Sequence, residues 1–439
     1  MKPYTEYKDS GLPWLGRVPA HWGLVRMKHL MRERNVRGYP DEPFLAATQT
    51  KGVVRKEDYE NRTVLALKDL HLLKLVEEGD FVISLRSFQG GIEHARHRGI
   101  ISPAYTILYP DDPSLHPYLA SLFKSRAFID ALCLYVTGIR QGQNIDYVRL
   151  SRSPIPVPPA EEREAIARFV ADFDQRCRRF VSNRRRLIEV LNEQKQIMTQ
   201  RAIASPSTTL HRLRDLVADP KREVERCGDH QYTPVGLYNW GRGIFHKTPR
   251  RGKDLGDSVF FWLEEGDLVF SGQFAWEGAV SVARRKDHRC IASHRYPVFV
   301  STTASVRTGY LESFFQSSAG QLLMDVNSRG AAGRNRPLNA RALLREMIPV
   351  PSVHEQLAIE EFGDRLQGIS HVVGRQITLV REYLTRLIAD VVTGKVDVRG
   401  LAPPEPLPAD EIGEGDSAEG LDDDEMQGDE PAIIEENLP

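Results

Sequence analysis

Four short segments of this chain set arginine, glutamine and tryptophan among glycines: "LRSFQGG", "GIRQGQN", "GQFAWEG" and "RGAAGRNRP". The chemistry open to these residue types is recognition rather than bond making. A guanidinium matches the two acceptors on a guanine edge, and a carboxamide matches the donor–acceptor pair of adenine. Small residues let backbone N–H groups approach phosphate. The candidate contacts are Arg86, Ser87, Gln89, Arg140, Gln141 and Gln143 in the first half, and Gln273, Trp276, Arg329, Arg334 and Arg336 in the second. Any one of them alone is equally a solvated surface residue. As groups they gain weight, because both halves place them at matching positions.

Catalytic constellations are harder to find. No G-x-x-x-x-G-K-[ST] or G-x-G-x-x-G string cradles a nucleotide. The nearest string to the (N/D)-P-P-(Y/F) motif of amino-methyltransferases is "SPAY" (Ser102–Tyr105), without the acidic or amide first residue and the second proline. "YPDDPS" reads as a turn rather than a metal-binding carboxylate cluster, and no nucleophile–base set is evident. Cys133, Cys177, Cys227 and Cys290 stand alone, so neither a disulfide framework nor a zinc site is expected. "HARH" (His94–His97) has no acidic or thiol partner at ligand spacing. The expectation is a chain that is not an enzyme and has no cofactor or metal of its own.

Charge points to the partner. The 439 residues carry 59 Lys and Arg against 60 Asp and Glu, but 14 of those acids fall between Leu401 and Pro439, where no Lys or Arg occurs. The remaining 400 residues therefore hold 59 basic against 46 acidic side chains, a net of +13. A basic body suits a polyanion, nucleic acid above all. The acidic stretch is too charged and too poor in aromatics to pack, so residues 398–439 are expected to be a disordered tail. No run approaches the roughly 20 apolar residues of a membrane span, and the N-terminus lacks the apolar core of a signal peptide, which predicts a cytoplasmic chain.

What positions the candidate residues is an internal repeat. "EEGDFVISLRSFQGG" from Glu77 recurs as "EEGDLVFSGQFAWEG" from Glu264, and "IPVPPAEEREAI" ending at Ile166 recurs as "IPVPSVHEQLAI" ending at Ile359. Each half runs as a mixed globular region, a Gly/Arg loop, an "IPVP" joint and a long helix. Within the globular regions, "DFVISL" and "DLVFSG" read as strands, while "SLHPYLASLFKSRAFIDAL" and "GYLESFFQSSAGQLLMDV" each read as an amphipathic helix. Trp14 and Trp22 read as anchors for the N-terminal arm.

Apolar residues at alternating steps of three and four mark a coiled-coil seam in each long helix. The first seam runs Ile166, Val170, Phe173, Cys177, Phe180, Leu187, Leu191 and Met198; the second runs Ile359, Phe362, Leu366, Ile369, Val373, Val380, Tyr383 and Leu387. Ser352 and Glu355 form a capping-box pattern, and Ser205-Pro206 and Gly394 are stop signals. Each stripe needs a partner, and the economical partner is the other helix. The predicted fold is α+β: two α/β-mixed recognition domains separated by two long antiparallel coiled-coil helices, with an internal pseudo-twofold repeat. Its boundaries are 1–158, 159–204, 205–351, 352–397 and the tail. A rod of ~44 residues at ~1.5 Å each would be roughly 65 Å long, one to two turns of duplex DNA.

The opening "DSGLPWLGRVPAHWGLVRMKHL", the paired "IPVP…E…AI" joints and the ending "LIADVVTGKVDVRG" resemble the specificity (S) subunits of type I restriction-modification systems, over residues 5 to 400 and in the right order. The resemblance implies two target-recognition domains reading a bipartite double-stranded DNA sequence, with Glu161 to Ile203 and Ser352 to Gly394 packed together as a spacer. It also implies docking of two modification (M) subunits, which hold S-adenosylmethionine and methylate adenine. Restriction (R) subunits that cleave DNA with ATP and Mg would join them in phage defence. The alternatives are a coiled-coil scaffold that does not read DNA and, with less support, a stand-alone DNA methyltransferase.

Overall fold

Repetition in the sequence reappears as repetition in hydrogen bonding. The structure, a computed structural model, describes residues 2–49, 51–58, 69–137, 144–328 and 336–401. It divides into two units. The first comprises the described residues of 1–183 and 375–401, the second those of 184–328 and 336–374.

The first unit is built on an antiparallel sheet of β1 (Met31–Glu33), β2 (Phe81–Ile83), β3 (Glu93–His94) and β4 (Thr106–Pro110), in the order β1-β4-β2-β3. The second has β5 (Val217–Ala218), β6 (Leu268–Phe270), β7 (Val280–Val282) and β8 (Val298–Ser301), in the equivalent order β5-β8-β6-β7. The repeated "EEGD" explains the entry to β2 and β6. Asp80 accepts the Glu77 N–H at 2.8 Å and a forked bond from Arg34 at 2.7 and 3.1 Å. Asp267 likewise accepts the Glu264 N–H at 2.8 Å and Arg222 at 2.6 Å. Gly79 and Gly266 turn the chain at φ 94° and 92°, a conformation costly for any residue with a Cβ. Both aspartates are buried, so each needs its arginine and its N–H to offset desolvation.

Each expected single helix beside the sheet is two helices. His116–Phe123 gives way to Arg126–Leu132, and Thr308–Gln316 to Ser318–Val326. The break falls at Ser125 and Ser317, both in extended backbone, each hydroxyl accepting the N–H three residues on. A serine that caps competes with continuing the helix. These helices close the two aromatic cores, Trp22, Phe81, Tyr118 and Phe123 in the first unit and Phe270, Tyr310, Phe314 and Phe315 in the second. Each such side chain contributes about 1.5–3 kcal/mol by burial.

The "IPVP" joints are strands. Pro154–Val157 pairs with Gly23–Arg26, and Met347–Val350 with Thr209–Arg212. A buried tyrosine fastens each: Tyr118 donates to the Pro156 carbonyl at 3.0 Å, and Tyr310 to that of Pro349 at 2.6 Å. The N-terminal arm is pinned on Glu162, in the first turn of the first long helix. Its carboxylate accepts the Trp22 indole N–H at 2.8 Å and the Tyr4 hydroxyl, with His21 Nε2 at 2.8 Å. Trp14 meets Phe128 edge-on.

The long helices are Ala160–Ile203 and Val353–Val392. Ser352 and Glu355 form the capping box, with the Ser352 N–H donating to Glu355 at 3.0 Å, and Gly394 stands at φ 77° beyond the second helix. In the first unit, Ile166 and Val170 share a core with Leu387, Val391 and Val392, and Phe173 meets Tyr383 edge-on. In the second, Ala202 shares a core with Ile359, and Leu191 lines one cavity with Phe362, Leu366 and Ile369. Within each unit the two segments therefore run antiparallel.

The seam differs from a strict heptad. The second helix buries the triplet Ile359, Leu366 and Val373 in the second unit and the triplet Ile377, Leu384 and Val391 in the first, where Leu387 of the expected seam and Val392 are buried on either side. At ~100° per residue both triplets fall on one ~40° arc, whereas Tyr383 lies about 120° from Ile359. Tyr383 is accordingly 53% exposed beside a Leu384 that is 5% exposed. Ile369 and, in the first helix, Leu187 are also exposed, while Val181 is buried. Phe173, Phe180, Leu191, Phe362 and Val380 are half-buried. A 3.5-residue repeat drifts ~20° per heptad from a 3.6-residue helix, and over four heptads the buried face has moved on by almost one position. The tail boundary moves too. Val398 is buried in the first core, and the acidic residues from 402 onward lie outside the described residues.

Candidate nucleic-acid interface

In the first unit the candidate surface begins where β2 ends. Ser87 opens a helical turn, Ser87–Gly90, and its hydroxyl accepts the Ser84 N–H at 2.8 Å. It is 1% exposed. The expectation that Ser87 meets DNA is therefore corrected: its hydroxyl shapes the turn, and Arg86 and Gln89 are the side chains that the turn leaves exposed. Gly91 follows at φ 85°, where a Cβ would stand 2.4 Å from the Phe123 carbonyl oxygen.

Two further segments meet this turn. The hairpin of Leu45–Thr48 and Gly52–Arg55 brings Gln49, whose carboxamide donates to that of Gln89 at 3.2 Å. Lys124 ties them together, donating to the carbonyls of Gln49 and Gly90 at 2.9 and 2.8 Å and pairing with Glu93 at 2.6 Å. Burial pushes the Glu93 carboxyl up to about 7, against the pull of the Lys124 ammonium. The third segment is the pair Val136–Thr137 and Asn144–Ile145, which lies by the same turn. Arg140, Gln141 and Gln143 belong to the stretch between those strands and lie outside the described residues.

The second unit repeats the arrangement with other side chains. Ser271 accepts the Phe274 N–H at 3.1 Å, and Gln273 is exposed at the position of Arg86. Trp276, at the position of Gln89, is half-buried and donates its indole N–H to the Gln273 carbonyl at 3.2 Å. The Arg336 guanidinium lies 4.8 Å above the Trp276 ring, pairs with Asp325 at 2.7 Å and donates to the Ser328 carbonyl at 3.1 Å. Arg336 is thus largely committed to Trp276, Asp325 and Ser328. Arg329 and Arg334 lie outside the described residues.

Among the described residues no group of three or more His, Cys, Asp and Glu is placed to hold a metal ion. His94 of "HARH" instead faces His116 at 2.8 Å, and burial, aided by that neighbour, lowers its pKa to about 4. No described helix is long and apolar enough to cross a membrane. Sequence reasoning passed over Gln49, because the contact that matters is with a residue forty positions away; its signal was the turn "TQTKG" between two apolar runs.

No protein-family model matches the chain, and no curated protein is similar to it in sequence. Solved structures are similar in fold. A chain from work on complex assembly and conformational transition of the type I R-M system superposes with TM-score 0.55 at 14% identity, over 86% of this chain and 99% of that one. The HsdS subunit from Thermoanaerobacter tengcongensis gives 0.42 at 16%, over 87% and 98%. The type I restriction-modification S subunit from M. genitalium gives 0.39 at 12%, over 90% and 98%. The first likeness establishes the shared fold: an α+β chain of two repeated domains with two long helices, the architecture found in type I restriction-modification assemblies.

Proposed function

We propose that the chain is the DNA-specificity subunit of a type I restriction-modification complex. Each unit reads one half of a bipartite, asymmetric duplex target, and the long helices dock two M subunits and set the gap. The observation that carries this reading is duplication of the scaffold without duplication of the side chains on the turn that follows the repeated strand. Asp80 and Asp267, Ser125 and Ser317, and Tyr118 and Tyr310 do the same work in both units. Between them Arg86 and Gln89 are replaced by Gln273 and Trp276. Two like frames carrying unlike contact residues suit two unlike half-sites. The net +13 of residues 1–400 supplies the phosphate attraction.

In this reading the chain performs no catalysis. S-adenosylmethionine belongs to the M partners, ATP and Mg to R subunits, and the assembly works in the cytoplasm. The test is to express the chain with its M partner and map methylated bases in the exposed DNA. A bipartite motif with modified adenines is the expected result. Methylation without any motif, or a single contiguous motif, would overturn the proposal.

A further inference from the structure

We infer that Trp240 is a base-stacking contact of the second unit, carried by a basic hairpin that packs against the Gln273–Trp276 turn. The inference rests on the DNA-reading function proposed above. Trp240 stands between strands Val235–Leu237 and Ile244–His246. At 69% it is the most exposed large apolar side chain among the described residues. Its backbone is left-handed, φ 61°, a region where a bulky residue is a real outlier.

The surroundings hold that conformation in place. The Trp240 and Gly241 N–H groups donate to the carbonyls of Glu277 and Gly278 at 2.9 and 3.0 Å. A Cβ on Gly241 would stand 2.7 Å from the Gln316 side chain, which accepts from the half-buried Lys195 at 2.8 Å. Strain kept at an exposed aromatic by an over-determined frame is the pattern of a ligand clamp.

Charge identifies the ligand. From Asn239 to Lys253 the chain carries Arg242, Lys247, Arg250, Arg251 and Lys253, all exposed, and no acidic residue. A flat indole at the head of a cationic run suits a base at an opened step of the duplex, where unstacking frees a π-face while the cations hold the flanking phosphates. A protein partner's apolar pocket would not require the cations. The equivalent tip in the first unit carries Gln49 and Lys51 in place of an aromatic, so stacking belongs to one half-site.

The test uses the full chain with its M partner and duplexes bearing the mapped motif, 2-aminopurine being placed at successive positions of each half-site. Stacking on aromatic side chains is worth ~1–3 kcal/mol per base, so W240A should lower affinity roughly 5- to 150-fold. W240F should recover part of it. Binding should alter 2-aminopurine emission at one position of the second unit's half-site, and W240A should abolish that change. W240G should melt at or above the wild-type temperature while binding as poorly as W240A. Wild-type affinity in W240A, or an unaltered 2-aminopurine response, overturns the inference while sequence-specific binding by the wild type upholds the proposed function. Normal DNA binding with loss of the M partner would assign Trp240 to a protein contact and overturn it equally. A wild-type complex that binds without sequence preference sinks both.

Discussion

Arg86 and Ser87 are neighbours in sequence with opposite fates, and replacing each by alanine separates reading from scaffolding. Arg86 is exposed at the start of the turn. A bidentate guanidinium–guanine contact is worth about 1–3 kcal/mol, so Arg86→Ala should weaken binding of the matching half-site roughly 5- to 150-fold and relax preference at one base pair. Thermal stability should stay within ~0.5 kcal/mol of wild type, as for surface substitutions generally. Ser87→Ala removes a buried acceptor and leaves the Ser84 N–H without its 2.8 Å partner, at a cost of about 1–3 kcal/mol. For a unit of ~200 residues each kcal/mol lowers Tm by roughly 2–4 °C. Fluorescence anisotropy across a salt series, with half-site variants, gives the first quantity, and calorimetry gives the second. If Arg86 meets phosphate alone, affinity falls alike for all sequences and the salt slope drops by ~1. Equal damage to both half-sites by Arg86→Ala, or altered base preference in Ser87→Ala without a fall in Tm, would refute the reasoning.

Leu384→Ala should cost about 2–5 kcal/mol and Tyr383→Ala well under that, since the first empties a buried seam position and the second an exposed one; denaturant melts that rank them the other way would restore the strict heptad. Tyr310→Phe should cost about 1–3 kcal/mol by leaving the Pro349 carbonyl unpaired, with no change of half-site preference, as judged by melting and by binding. Buried His94 should make the first unit less stable as pH falls from about 6.5 towards 4, because its imidazole in the unfolded chain binds a proton that the buried ring refuses. Glu93 works in the opposite sense between about 4.5 and 7, because its raised pKa makes the native state the better proton binder. Tm measured against pH should therefore slope less in His94→Phe and more in Glu93→Gln; parallel curves for all three proteins would remove the assignment.

The sequence was legible wherever a backbone demand dictates residue type. The two "EEGD" turns need a glycine at positive φ and an acceptor for an N–H three residues back, so both were written twice and recognisably. The seam was harder because apolar residues stand at both 383 and 384, and a 3.5 period absorbs either until the drift is summed along the helix. Ser87 was misread because a hydroxyl among glycines suits DNA and a turn equally; the partner that decides, Ser84, became visible only in three dimensions. Ser125 and Ser317 look like ordinary mid-helix residues until their extended backbone is seen. Trp240 carried no motif, and its importance depends on Glu277 and Gly278, almost forty positions on.

The first core takes Trp22 and Tyr118 from early in the chain and Leu387, Val391, Val392 and Val398 from near the end of the described residues. The second draws on one unbroken span. On a ribosome adding ~5–20 residues per second, the later-numbered unit can finish first, while its predecessor waits roughly 10–40 s for its last aliphatic residues. Throughout that interval Trp22 and Tyr118 have an incomplete apolar lid, and chaperone capture or premature cleavage would strike the N-terminal half first.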